Sequence, residues 1–384
     1  MSALPGVAPR RTSGRSSARI ALGLVLAAST VTGCAAGSAS PPGSAVATRD
    51  GRADGGQTGQ DAVRAPGTPP APVTIAFGGD VHFEGVVGER LRRDPATTFG
   101  PVADVLSAAD LAVVNLETAL TGRGTPEPKE FTFRAPATAF DALTAAGVDV
   151  ATLANNHGMD YGQVGLADTL DAAREAGFPL VGAGRDDGEA FAPHVAEVDG
   201  QRIAVIGTTQ VLDSYALETW RAAPGKPGLA SAYDEERLLR AVREARENAD
   251  TVVVFAHYGQ ERNPCPIARQ VALTEALVEA GADVVVGSHA HVLLGGGWLG
   301  RAYVHYGLGN FLWYAKGGPE AETGVLTLTL QGRDVTAAEW TPARISGGKN
   351  TPLTGLQRET ALEAADEARV CTGLSASSPA DPAA

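Results

Sequence analysis

Four short apolar runs, each followed closely by residues with metal-binding chemistry, constrain this chain most. They cover 73–77, 148–154, 251–256 and 282–288, and just beyond them stand Asp80, Asn156 with His157, His257, and His289 with His291; His82 follows Asp80 by two. Short β-branched runs bounded by turn residues suit strands buried on both faces, as in a parallel sheet. Polar side chains at their ends then gather along one sheet edge, where sites form in open α/β folds. Five of the seven His in the chain stand there, which points to chemistry and not to packing.

The rest of the pattern agrees with this reading. Strand-like runs at 73–78, 111–116, 148–154, 178–181, 192–198, 201–207, 251–256 and 283–287 are separated by helix-like stretches near 85–93, 101–109, 136–146, 164–176, 234–248 and 266–280. Such alternation indicates βαβ units. Towards the end the strands crowd together, at 302–306, 323–331 and 335–341, which suits antiparallel strands closing a sheet. The stretch from Asp234 opens with acids and carries Arg240, Arg243 and Arg246 later, as the helix dipole favours. These charges read as a solvated helix face, and no internal repeat is visible.

The two ends differ in composition from this middle. Arg10, Arg11, Arg15 and Arg19 precede an apolar run from Ile20 to Val31, so residues 1–33 read as a signal peptide, too short to span a bilayer comfortably. Val31-Thr32-Gly33-Cys34 resembles the lipobox of bacterial lipoproteins, whose Cys is lipidated and becomes the new N-terminus. The expectation is a globular domain outside the cytoplasm, anchored to the outer face of the cell membrane by lipid at Cys34. Residues 34–72, rich in Ala, Gly, Ser, Pro and Thr, read as a flexible linker. Residues 346–384 form a C-terminal segment with a disordered tail from about Thr372.

Without the four signal arginines the formal charge falls from −13 to −17. No Lys/Arg cluster lies elsewhere, which excludes nucleic acid as a partner. An acidic substrate must therefore be drawn by bound metal and not by net charge. Cys265 and Cys371 can pair in an oxidising compartment. Pairing would clip the C-terminal segment to the loop after His257, and the sequence leaves it open.

The candidate site divides by loop. Asp80-x-His82 follows Gly78 and Gly79, which free the turn and allow close backbone approach. Asn115 and Glu117 lie at the exit of 111–116; Glu117 is the candidate carboxylate shared between two cations, and Asn115 is either a second-loop ligand or a turn cap. In Asn155-Asn156-His157-Gly158, burying so many polar groups requires partners. Asn156 would use its carbonyl oxygen on a metal, His157 would donate a proton or stabilise a leaving oxygen, and Asp160 would orient His157. His257 and His289-x-His291 complete the set, the last pair read as an extended segment with both rings on one side.

In combination, Gly79-Asp80…His82, Asn156-His157, His257 and Gly287-Ser288-His289-Ala290-His291 resemble the calcineurin-like metallophosphoesterases. The spellings Asn115-Leu-Glu117, Ala154-Asn-Asn-His-x-x-Asp160, His257-Tyr-Gly-x-Glu261 and Tyr306-Gly-Leu-Gly-Asn-Phe311 resemble the CapA/PgsA branch, the bacterial capsule and poly-γ-glutamate synthesis proteins, over about residues 73–345. The resemblance implies an α/β fold of four layers, an αββα sandwich of two mixed sheets, with a dinuclear site at their edge. Asp80, His82 and His291 would hold one divalent ion and Asn156, His257 and His289 the other, the ions being Mn, Zn or Fe. His157 would sit beside the scissile bond in a metal-assisted hydrolysis. The wider superfamily bridges its metals with an Asp on the second loop, whereas this chain has Asn115 there with Glu117 two residues on.

Three functions share these residues. One is a surface-anchored CapA-like protein in synthesis or export of an anionic polymer such as poly-γ-glutamate, working beside synthase subunits. Another is a general extracytoplasmic metallophosphoesterase acting on phosphoesters. The third is a non-catalytic scaffold of a polymer synthase, against which the complete His set weighs.

Overall fold

The computed structural model describes residues 70–378. The signal peptide, Cys34 and all of the linker up to residue 69 lie outside the described residues. Within them, the apolar runs form strands: β1 (Val73–Val81), β2 (Leu111–Leu116), β3 (Val150–Thr152), β4 (Leu180–Val181), β5 (His194–Val198), β6 (Gln201–Thr209), β7 (Thr251–His257) and β8 (Val284–Ser288). Six more follow: β9 (Gly296–Leu299), β10 (Ala302–His305), β11 (Asn310–Leu312), β12 (Glu322–Gln331), β13 (Asp334–Ser346) and β14 (Lys349–Pro352). The longer helices are α1 (Gly85–Arg93), α2 (Ala139–Ala145), α3 (Gly162–Ala176), α4 (Glu235–Asn248), α5 (Ala268–Ala280) and α6 (Gly355–Arg369).

Two sheets result. The first runs β14-β13-β12-β1-β2-β3-β4, with β11 paired alongside the end of β1; the second runs β9-β10-β8-β7-β6-β5. Each is mixed. β1, β2, β3 and β4 are parallel while β12, β13 and β14 are antiparallel. In the second, β6, β7, β8 and β10 are parallel and the edge strands β5 and β9 antiparallel.

Alternation along the strands explains the four layers. Ile75 and Phe77 of β1 and Val113 of β2 join Val205, Val253, Phe255 and Val286 of the second sheet in one buried cluster, so the sheets pack face to face. The intervening residues point outward. Ala76, Ala112 and Val114 meet Leu91, Phe140, Leu143 and Leu166 of the helices over the first sheet. Ile206, Val252, Val254 and Val285 meet Leu238, Val242, Leu273 and Leu277 of α4 and α5. Strands covered on both sides must be apolar throughout, which is why they read as unbroken runs.

Three expectations are corrected. The helix expected near 101–109 is a turn of 3-10 helix at Gly100–Val102 and one α-turn at Ala103–Leu106. The domain boundary at residue 345 cuts through β13, and β14 adds a further strand to the first sheet beyond it. Part of the tail past Thr372 pairs with the second sheet, Ser375 exchanging two backbone hydrogen bonds of 2.9 Å with Trp298, and residues 379–384 lie outside the described residues. α6 was invisible to an apolar-periodicity reading because none of its residues is buried.

Cys265 and Cys371 form a disulfide with their Cα atoms 5.8 Å apart. It closes a loop of 106 residues, so replacing both by Ser is expected to cost about 2–4 kcal/mol. Chemical denaturation of the oxidised chain beside the double variant checks this; equal midpoints would contradict it.

Candidate metal centre

Strand register sets the site. Asp80 lies beside Asn115 of β2 on one side and Asn310 of β11 on the other, while His257 at the end of β7 lies beside Ser288 of β8. Gly78 and Gly79 prove to be part of β1 and not a turn. A Cβ on Gly79 would stand 2.0 Å from the Gly309 carbonyl oxygen, and one on Gly78 2.8 Å from the Phe311 ring. The glycines let the loop before β11 approach the strand, and the Asp80 N–H donates to Gly309 O at 2.9 Å.

Asp80 is completely buried. Its Oδ1 accepts from Asn115 Nδ2 at 2.8 Å and its Oδ2 from the His289 backbone N–H at 3.2 Å, with His291 Nδ1 3.4 Å away. Burial alone would push its pKa up. The hydrogen bond to His291, the nearby imidazoles of His257 and His291, and Asn115 outweigh burial and hold the carboxyl well below the usual range. Glu117, equally buried, is driven the other way, by burial first and then by the Asp80 charge. Its Oε1 is 3.7 Å from His257 Nε2 and 3.9 Å from His157 Nε2 and has no hydrogen-bond partner.

The expected extended His-x-His segment is corrected. β8 ends at Ser288, and His289 and His291 both take positive φ, 96° and 57°. Neither is glycine, so this backbone is strained, and such strain gathers at functional sites. The His289 N–H, carried directly on the end of β8, reaches Asp80, and the turn begins after it. The two rings then lie 5.9 Å apart, and His289 lies 4.8 Å from His257. Burial pushes His289 down to about 3 and His257 well below its ordinary value. Both are neutral imidazoles at pH 7, the form that binds metals. His289 Nδ1 is buried without a partner.

The ligand atoms fall into overlapping groups, each within 4.8 Å: Glu117 with His257 and His289, Asp80 with Glu117 and His291, and Glu261 with His289 and His291. Glu117 is common to the first two. Asn156 adds its Oδ1 2.7 Å from His257 Nε2. His82 stands beside these groups and belongs to none of them. Its Nδ1 accepts the Glu84 N–H at 3.1 Å, so the neutral ring carries its proton on Nε2, which has no partner. The ring sits among Phe133, Trp313 and Tyr314.

Asn115 presents its amide to the carboxylates and not its carbonyl. Asn155 Nδ2 donates to Leu116 O at 2.8 Å and to Asn115 Oδ1 at 2.9 Å, which fixes both amide orientations. Asn115 therefore orients Asp80 in place of acting as a ligand. Asn155 Oδ1 in turn accepts the His157 N–H at 3.0 Å. His157 Nδ1 lies 2.6 Å from Asp160 Oδ2, leaving Nε2 towards Glu117.

Four residues to which the sequence reading gave no role complete the site. Lys129 pairs with Asp160 Oδ1 at 2.7 Å and donates to the Asn156 carbonyl, tying two site loops together. Phe133 stacks on His157 with ring centres 4.1 Å apart. Asn310 Oδ1 lies 2.9 Å from His291 Nδ1. Glu261 is brought in by its loop, where the Arg262 N–H donates to Ala290 O at 2.8 Å. Asn310 and Glu261 fall inside two of the motifs read in the sequence; Lys129 and Phe133 lie in an aperiodic loop with no such signal.

Replacing Gly79 by Ala is expected to force β1 and the Gly309 loop apart, moving Asp80. Metal uptake should fall at least about tenfold while far-UV dichroism stays unchanged, since one misplaced ligand disables a site built to sub-ångström tolerance. Unaltered uptake would show that the close approach has no bearing on the site.

Comparison with known proteins places these residues in a wider group. The Bacillus anthracis capsule biosynthesis protein CapA is 33% identical over 217 residues, 56% of this chain and 52% of that protein. The Bacillus subtilis (strain 168) PGA biosynthesis protein CapA is 32% identical over 244 residues, 62% of this chain and 63% of that protein. The chain thus spans between half and two thirds of the length of these relatives. A crystal structure of a novel phosphatase from Mycoplasma pneumoniae superposes with a TM-score of 0.44 at 16% identity, covering 71% of this chain and 94% of that one. Residues 74–315, most of the folded part, match the family described as bacterial capsule synthesis protein PGA_cap, and the chain belongs to that family.

Proposed function

We propose that the chain is a lipid-anchored, extracytoplasmic protein of capsule or poly-γ-glutamate synthesis or export whose site is a dinuclear, phosphoesterase-like metal hydrolase. The observation that carries the hydrolase reading is Glu117, a buried carboxylate common to two ligand groups, with an oxygen that no protein donor satisfies. A carboxylate shared between two cations offsets their repulsion, and without a cation its burial is costly. The residues fit such a pair. Asp80 and His291 with Glu117 would hold one ion, and His257, His289 and Asn156 with Glu117 the other. His82 joins the first only if its Nδ1 gives up the Glu84 N–H. Glu261, exposed at the rim, is a further candidate beside His289 and His291.

Two divalent cations would supply Lewis-acid polarisation of the substrate and stabilise developing negative charge. The chain supplies the rest. Asp160 holds the His157 ring by Nδ1, and Lys129 holds Asp160, so Nε2 of His157 is the atom placed to move a proton. Phe133 and Trp313 wall one side against water. The partly exposed Asn156 and His291 and exposed Glu261 leave the other side open to substrate. An acidic chain with one cationic centre suits an anionic polymer or phosphoester at that centre alone.

Family membership and the names of the two relatives support the polymer role, with synthase subunits as partners. The Cys265–Cys371 bond supports an oxidising compartment, and the lipobox-like Val31–Cys34 supports anchoring at Cys34.

Elemental analysis of the purified chain is expected to find about two equivalents of Mn, Zn or Fe, and the His289→Ala/His291→Ala variant at least one fewer; equal content in both would refute the site. Hydrolysis of a chromogenic phosphodiester should drop about 100-fold or more in His157→Ala, and full activity would remove His157 from the proton step. Radiolabelled palmitate should enter the wild type and not Cys34→Ser.

A further inference from the structure

α6 covers one edge of the second sheet without filling the space beneath it. Its inner face carries Ala361, Ala364, Ala365 and Ala368, side chains too short to reach the strands. Two cavities of about 410 and 520 Å³ remain between α6 and strands β9, β10, β12 and β13. Both are lined by His305 and Trp340, whose rings stack with centres 5.6 Å apart. Neither shares a residue with the metal centre.

Their polar lining is unsatisfied. Four residues of their walls, Thr323, His305 and Trp340 around the first and Trp298 around the second, carry a buried side-chain atom without a hydrogen-bond partner: Thr323 Oγ1, His305 Nδ1, Trp340 Nε1 and Trp298 Nε1. Thr323 is 1% exposed and His305 7%. Buried polar atoms are normally paired, and four orphans around one space call for an occupant that pairs them. Indole nitrogens only donate, so that occupant must bring acceptors.

The interior also lacks free charge. Burial pushes His305 down to about 4, leaving it neutral at pH 7. The charged side chains of the walls are paired, Arg344 with Glu322 at 3.6 Å and Arg369 with Asp366 at 2.8 Å, so none is a spare counter-ion. Volumes of this size, apolar with a few convergent polar atoms, are those of small-molecule sites. α6 is fixed as a roof at its C-terminal end by the Cys265–Cys371 disulfide and the Trp298–Ser375 pairing.

We propose that this space is a second binding site, for a neutral amphipathic small molecule: an apolar body against Leu293, Leu294, Leu353 and the α6 alanines, and carbonyl, ether or hydroxyl oxygens accepting from the Trp340 and Trp298 indoles. The site is independent of the metal centre.

The test is a fluorescence titration of the full chain with prodan, a neutral naphthyl ketone. Saturable one-to-one binding is expected, with blue-shifted dye emission and quenched tryptophan emission. Anilinonaphthalene sulfonate, of similar size and anionic, should bind at least about tenfold more weakly, because Arg344 and Arg369 are already paired with carboxylates. Ala365→Trp, and the milder Ala364→Met, should fill the space and weaken prodan at least about tenfold while melting as the wild type does. Trp340→Phe, which keeps a ring and removes the donor, should weaken it about three- to tenfold. His289→Ala should leave it unchanged. Absence of saturable binding would mean that the space holds water only and would overturn the proposal. So would binding that Ala364→Met and Trp340→Phe leave intact, or sulfonate binding as tight as prodan.

Discussion

One buried carboxylate ties the two sheets together where the site forms. Asp80, next to last in β1 of the first sheet, accepts from Asn115 of β2 and also accepts the backbone N–H of His289, which follows the last residue of β8 in the second sheet. An unpaired carboxylate at that depth would be costly, so each of these donors is held in place. The left-handed backbone at His289 and His291 turns the chain immediately after that N–H. Close approach of the Gly309 loop to Gly79 completes the cradle. The ring of His257 is then positioned by a strand end, and those of His289 and His291 by the turn that follows β8.

The site separates its two acids by environment. Donors and neighbouring imidazoles surround Asp80 and keep it ionised, whereas Glu117 meets the Asp80 charge in a dry setting and is pushed towards its protonated form. Pairs of carboxylates driven apart in this way are typical of centres that handle charge. Glu117 is the member a bound cation would change most.

Much of this was legible in the sequence because burial on both faces leaves a plain signature. Runs such as 251–256 could only be interior strands, and polar residues at their ends had to share an edge. Asp80, Glu117, Asn156, His157, His257, His289 and His291 were found that way, and the structure brings them together. What escaped lay outside periodicity. Lys129 and Phe133 sit in an irregular loop, and nothing local says that it folds over Asp160 and His157. The orientation of Asn115 depends on Asn155, forty residues away in sequence. α6, with alanines inside and charges outside, has helix-forming composition but no apolar stripe. The same lack of a stripe leaves the space beneath it.

We propose that Glu117 is shared by two cations. Anomalous scattering from a crystal of the chain grown with manganese tests it directly. The account expects two peaks, one on the side of Asp80 and His291 and one on the side of His257 and His289, with a Glu117 oxygen in contact with both. A single peak, no peak, or two peaks that Glu117 does not touch would contradict it.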